Sequence, residues 1–288
     1  MGAIREAGRS LRGLWRWVLV LTLVLVVGMA APAIALPSSD TTAPTALSGP
    51  EAAPEEETTA TWVDRAFEAT NAGDFATAER YWTKILERFP DRAEIWSNRG
   101  NARTSQNKLD LAIADYNRAI ELAPDAPDPY LNRGAALENR GDYGAAIADY
   151  DRVLALDPYD AAAHNNRGNA LGGLGRWEEA IEHFLKAAEL VPDFAIAREN
   201  YALALYEVGD RQEALRNLRN LVRKYPGFAD ARAALTALLW INGSQGEAES
   251  QWVSVVGLDR RYRDIDWVRQ VRRWPPTVTA ALEKFLKL

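Results

Sequence analysis

The 288-residue chain has no cysteine. That absence removes disulfide frameworks, thiolate zinc sites, iron–sulfur clusters, cysteine nucleophiles and lipoprotein anchors together. Histidine occurs only at His164 and His183, too few for a multi-histidine metal site. With 34 bases against 40 acids the net charge is −6, so bulk electrostatics do not favour nucleic-acid phosphates. The sequence has neither a G-x-x-x-x-G-K-[ST] loop nor an H-E-x-x-H pair. Carboxylates are plentiful, but none forms a distinguishable acid/base pair. These absences predict a non-enzyme with no cofactor and no metal.

What is present begins with an address. Arg5, Arg9, Arg12 and Arg16 precede an uncharged apolar run from Trp17 to Ala31. Pro32 and Ala33-Ile34-Ala35 follow, a pattern suited to signal peptidase. Residues 1–35 therefore read as a cleaved export signal or, alternatively, as a retained N-terminal anchor. Either reading carries the body out of the cytoplasm, because the arginines hold the N-terminus inside. Residues 36–58 contain four prolines and almost no large apolar side chain, and they read as a disordered linker.

The body is periodic. Pro90, Pro124, Pro158, Pro192 and Pro226 are spaced by 34 residues. Counting each proline as position 32 starts the repeats at 59, 93, 127, 161 and 195. Position 20 is then Ala78, Ala112, Ala146, Ala180 and Ala214, and position 8 is Ala66, Gly100, Gly134, Gly168 and Ala202. Position 24 is Trp82, Tyr116, Tyr150, Phe184 and Leu218. A sixth, degraded copy begins at 229 and keeps Leu239, Gly243, Ala248 and Trp252. The pattern resembles the tetratricopeptide repeat (TPR), a helical hairpin of 34 residues. The resemblance implies an all-α fold, a right-handed superhelix of stacked hairpins in which no hairpin buries its apolar face alone. The array is expected over 59–262 (59–92, 93–126, 127–160, 161–194, 195–228 and degenerate 229–262), with C-terminal capping helices over 263–288.

Local physics supports the register. Position 15 (Gly73, Asn107, Gly141, Gly175, Gly209) must end the first helix with positive φ, which glycine and asparagine tolerate. The aromatic at position 24 is expected to fill the gap toward the next hairpin. Gly172 and Gly173 are expected to make repeat four the softest joint. His164 and His183 fall at positions 4 and 23, where they replace scaffold residues. Arginine at position 7 (Arg65, Arg99, Arg133, Arg167) is expected to pack its stem and send its head to a carboxylate or solvent.

By resemblance to the family, positions 2, 5, 6, 9, 12 and 13 of the first helices line a concave, partner-binding groove. The candidate groove residues are Asp64, Glu94, Asn98, Asn101, Asp128, Asn132, Glu138, Asn166, Asn169, Glu199, Asn200 and Glu207. An asparagine ladder offers each peptide unit a donor and an acceptor without demanding a sequence. No lysine or arginine occupies these positions in any copy. TPR domains that hold acidic chaperone tails use lysine and arginine there, so this resemblance implies a neutral or basic extended ligand and not an acidic-tailed chaperone. The Asn-Arg-Gly triplets, the Ala-Ile-Ala-Leu-Pro end of the leader and the Arg-Arg-Trp-Pro-Pro tail resemble exported TPR proteins of cyanobacteria and the plastid thylakoid lumen. That resemblance implies a thylakoid or periplasmic setting and a part in assembling membrane complexes. A second reading uses the basic stretch Arg260–Arg273 as a membrane-surface contact. An enzyme of unknown type is the remaining alternative.

Overall fold

A computed structural model of the chain describes residues 58–287. The leader and all of the linker except Thr58 lie outside them. The described residues contain fourteen α-helices and no strand. They form two compact units. One runs to Pro90 and includes Asn101–Lys108; the other holds Asp91–Gly100 and everything from Leu109 onward.

The helices come in six pairs. The first members are α1 (Thr59–Asn71), α3 (Ala93–Ser105), α5 (Pro127–Arg140), α7 (Ala161–Gly173), α9 (Ala195–Glu207) and α11 (Ala229–Ile241). Their partners are α2 (Phe75–Arg88), α4 (Leu109–Leu122), α6 (Tyr143–Leu156), α8 (Trp177–Leu190), α10 (Arg211–Lys224) and α12 (Gln245–Leu258). First helices start every 34 residues, as the proline register predicts. The fold is an α-solenoid of TPR hairpins.

Helix ends follow from side-chain chemistry. Asp74, Asp160 and Asp210 cap α2, α7 and α10 by accepting backbone N–H bonds from Thr77, Ala163 and Glu213. Positive φ occurs at Gly73, Asn107, Gly141, Gly175 and Gly209, and again at Gly243 in the sixth copy. Pro127 opens α5, where a missing N–H costs nothing.

The close approach of paired helices has a specific cause. A Cβ built on Gly100, Gly134 or Gly168 would lie 2.6 Å from a ring carbon of Tyr116, Tyr150 or Phe184. Each aromatic at position 24 thus sits on the glycine of its own repeat, rather than only toward the next hairpin. The alanines at position 20 are fully buried in all six copies. Gly172 and Gly173 also have a packing reason: Trp177 and Tyr143 lie against the places where their Cβ atoms would be. Their helix-propensity cost is offset by ring contact, which argues against the expected softness of repeat four.

After α12 the register ends. A 3-10 turn (Arg260–Arg263) leads to α13 (Ile265–Trp267), which runs into a π turn (Val268–Arg272). Pro275 and Pro276 then open α14 (Pro276–Leu286). This last helix does not simply close the end of the stack. It lies along α11 and reaches α9, which are both first helices. Val278, Leu282 and Phe285 join a large buried cluster with residues of α9 to α12.

Candidate functional site

Within the second unit, successive first helices approach one another more closely than successive second helices do. The first helices therefore form the inner side of the stack, and the lining positions follow from the repeat register. The structure divides the proposed groove residues into groups. Asp64 (exposed) and Asn101 (half-buried) belong to the first unit. The others lie in the second.

Asn98 and Asn132 stand at position 6 of α3 and α5. Both are half-buried, and neither makes a side-chain hydrogen bond to another described residue. Further along, the amides bind one another. Asn200 donates to Asn165 Oδ1 at 3.0 Å and to Asn169 Oδ1 at 3.2 Å. Asn165 in turn donates to Asn166 at 3.2 Å. This network ties α7 to α9. Asn165 was not singled out in the sequence, although its place at position 5 beside Asn166 is the signal.

The carboxylates are less available than the sequence suggests. Glu94 receives the guanidinium of Arg92. Burial works against its charge, but the Arg92 bond holds its carboxyl below the usual range. Burial pushes Glu138 up to about 7, against the opposing bond from the Tyr150 hydroxyl at 3.1 Å and the nearby charge of Arg273. Asp128 is exposed at the start of α5.

Glu199 and Glu207 are taken up by the chain's own C-terminus. Glu207 accepts from Thr277 N at 2.7 Å, Thr277 Oγ1 at 2.8 Å and Val278 N at 3.3 Å. It thereby caps α14, whose own N-terminal residues supply no side-chain cap. Glu199 is 1% exposed. Burial and the neighbouring Asp230 carboxylate push its carboxyl well above the usual range, against the opposing charge of Arg272. Arg272 pairs with Asp230 at 2.7 Å, while burial still raises Asp230 to about 6. Arg273 donates to the Asn139 carbonyl at the end of α5, at 3.4 Å. The inner face is therefore self-occupied over repeats five and six, and neither glutamate is open to a ligand.

The part of the tail before Pro275 is seated with unmet polar groups. Both oxygens of Glu199, the Tyr262 hydroxyl, Arg272 Nε and Trp274 Nε1 are buried with no hydrogen-bond partner among the described residues. Burying Tyr262, Val268 and Trp274 stabilises this seat by roughly 1.5–3 kcal/mol per side chain. Each orphaned polar group costs roughly 1–3 kcal/mol, so the two contributions nearly cancel. For α14 no such opposition exists: Val278, Ala281, Leu282 and Phe285 are buried and none of its polar side-chain atoms is orphaned.

Inside each of the first four hairpins the position-7 arginine meets position 23. Arg99 grips Asp115 through Nε (3.0 Å) and Nη2 (2.7 Å), and Arg133 grips Asp149 in the same way at 2.8 and 2.6 Å. Arg65 reaches Tyr81 at 3.0 Å. In repeat four the partner is His183. Arg167 is only a donor, so His183 Nε2 accepts and its proton sits on Nδ1. That proton goes to His164 Nδ1 at 2.9 Å, and His164 Nε2 donates to the Pro158 carbonyl at 3.2 Å. Both rings are neutral links in one directed chain. No cluster of potential metal ligands occurs among the described residues.

This chain predicts a pH effect. Burial, Arg167 and His164 lower His183 to about 4, with Asp151 and Glu179 pulling weakly the other way. Between pH 6.5 and 4 the unfolded chain takes a proton that the folded chain refuses. The contribution is complete above an unfolded pKa of about 6.5 and is lost as pH falls through about 4. Because the ring is only half-buried, we expect a discounted loss of about 1 kcal/mol. Between pH 7 and pH 4, urea melts should show wild type losing more stability than His183→Gln, by about 1 kcal/mol. Equal losses would contradict the assignment.

The basic C-terminal stretch is not a free cationic patch. Arg261 binds Asp259, Arg269 binds Asp266, and Arg272 and Arg273 are engaged as above. No helix among the described residues is long and apolar enough to cross a membrane.

Comparison with known proteins agrees with this architecture. TPR-repeat family models match residues 100–141 and 139–175, and tetratricopeptide-repeat models match 161–194 and 199–259. Together they cover just over half of the chain. No curated protein matches. Among solved structures, the MamA protein is 25% identical, with 58% of this chain and 91% of that chain covered at a TM-score of 0.51. YrrB, described as a TPR protein with an unusual peptide-binding site, is 21% identical, covers 70% and 97%, and has a TM-score of 0.50. A tetratricopeptide repeat protein from Parabacteroides merdae is 19% identical over 80% and 92%, with a TM-score of 0.62. Six helix pairs in one 34-residue register, with the repeat models matching over 100–259, make this chain a member of the tetratricopeptide-repeat family.

Proposed function

We propose that the chain is a non-catalytic scaffold that holds an extended, neutral or basic segment of a partner protein. The seat is the inner face from the start of α3 through α5 to α7. The observation that carries this reading is the pair Asn98 and Asn132: two amides one repeat apart, with no hydrogen-bond partner among the described residues. A backbone lying across them gains a donor and an acceptor at each step. Glu94 and Asp128, at position 2 of the same helices, disfavour an acidic ligand, and no lining position offers a cation to attract one. YrrB, whose described peptide-binding site sits on a similar fold, lends support by analogy. The arginine-flanked apolar leader and its resemblance to exported TPR proteins point to work outside the cytoplasm, in a thylakoid lumen or periplasm, and to assembly of membrane complexes. The alternative of a membrane-surface adaptor loses support because most of the C-terminal arginines already have internal partners.

Fluorescence anisotropy with labelled extended peptides of Lys/Ser/Gly and of Glu/Ser/Gly composition tests the reading. The basic peptide should bind more tightly and weaken as salt is raised. Asn98→Ala with Asn132→Ala should weaken it about thirtyfold, since each lost hydrogen bond is worth about 1 kcal/mol. Equal or tighter binding of the acidic peptide would overturn it.

A further inference from the structure

The segment Val268–Pro275 reaches the first helices through its two arginines. Arg272 is paired with Asp230 beside the buried Glu199. Arg273 reaches past α7 to the end of α5, where it donates to the Asn139 carbonyl and its charge acts on Glu138. Trp274 is buried, with its ring 5.6 Å from that of Tyr262. We propose that this segment is an intramolecular stand-in for the partner. The partner then carries an arginine pair next to an aromatic residue and competes with Arg272 and Arg273 for Asp230, Glu199 and Glu138. The inference rests on the groove reading above and adds the partner's chemistry and the way access is controlled.

Three observations set this segment apart from the rest of the tail. Its backbone is irregular: a π turn is followed by Arg273 at φ 52°, and Asn107 is the only other non-glycine residue with positive φ among the described residues. Such conformations are held by their surroundings and concentrate at functional sites. Its seat also contains most of the orphaned buried polar atoms of the described chain, those of Glu199, Tyr262, Arg272 and Trp274. A carboxyl that is fully buried without a partner is a poor element of a permanent core and a good anchor for an incoming guanidinium. Beyond the segment, Pro275-Pro276 and the Glu207 cap fix α14 independently. The segment can thus lift while α14 stays. A partner advancing along α3 and α5 meets Arg273 first.

The test uses the full chain and a labelled peptide with the sequence of residues 268–277. Wild type should bind this peptide weakly. Arg272→Ala with Arg273→Ala should bind it about tenfold more tightly, the gain expected if the seat is closed about nine-tenths of the time. Adding Glu199→Gln and Asp230→Asn should remove the gain. Arg273→Ala alone, which deletes one exposed bond, should move affinity in the same direction and keeps the test valid if the double variant misfolds. A variant that binds no better than wild type would overturn the inference, as would equal binding of a peptide with both arginines changed to glutamate. If basic peptides still bind wild type through Asn98 and Asn132 in that case, the groove reading survives and only the stand-in falls.

Discussion

Arg133→Leu is expected to destabilise the protein by about 3 kcal/mol, the cost of leaving a buried carboxylate without its partner. Asp149 is 5% exposed and is held by two guanidinium bonds from Arg133. Arg133 also donates to Asn117 at 2.6 Å, which stitches the next hairpin back to the preceding one. Asp149→Leu alone leaves the guanidinium stem packed with a head still able to find Asn117, so it should cost less. The double variant, Arg133→Leu with Asp149→Leu, puts an apolar pair where an ion pair stood. Buried ion pairs replaced by packed apolar groups are often neutral. The double variant should therefore recover most of the loss, and the cycle should give a coupling of about 1.5 kcal/mol or more. Urea midpoints of the four proteins supply the measurement. A single variant within about 0.5 kcal/mol of wild type would mean that the pair behaves as a surface salt bridge.

Phe285→Ala should cost about 3–4 kcal/mol. The ring lies 5.4 Å from Trp240 and 5.2 Å from Trp252, edge-on to both, and is 7% exposed. Edge-to-face contacts add roughly 0.5–1.5 kcal/mol each to the area term. Because Trp240 lies on α11 and Trp252 on α12, the truncation loosens the tail and the last hairpin together. Tryptophan-detected unfolding should show a lower urea midpoint. A shift under about 1 kcal/mol would contradict a structural role for α14.

The fold was legible because its signal is periodic. Five prolines and five alanines at fixed spacing place each helix start, and the first helices begin at 59, 93, 127, 161, 195 and 229 as the register requires. The position-15 residues also announce their positive φ, since few side chains tolerate it. The Arg–Asp stitches were harder to read. Asp115 and Asp149 look like members of a solvated helix face, yet both are buried. Their signal is an offset of 16 residues, repeated at 65/81, 99/115, 133/149 and 167/183. An offset across a helix–turn–helix is not a neighbour relation on either helix, so local pattern alone does not expose it.

The destination of the tail was the larger omission. An amphipathic last helix shows that it must cover something, not which face it covers. The missing signal lies on the other side of the contact. Position 6, asparagine in repeats two to five, is Ala234 in repeat six, and position 9, asparagine in repeats two and four, is Leu203 and Ala237 in repeats five and six. Helix α11 is buried at Asp230, Ala231, Ala233–Leu239, on nearly every face. A first helix apolar all round cannot front an open groove. Read this way, Glu199 and Asp230 belong to an interior seat for Arg272 rather than to an acidic trough open to solvent.

Photo-crosslinking decides most directly where a partner lies. A basic extended peptide carrying one photoreactive residue is bound to the full chain, irradiated and mapped by mass spectrometry. Crosslinks on α5 and α7 around Asn132 and Asn166, lost when Asn98 and Asn132 are alanine, are the result expected. Crosslinks confined to the second helices α6 and α8, unaffected by those substitutions, would contradict an inner-face scaffold.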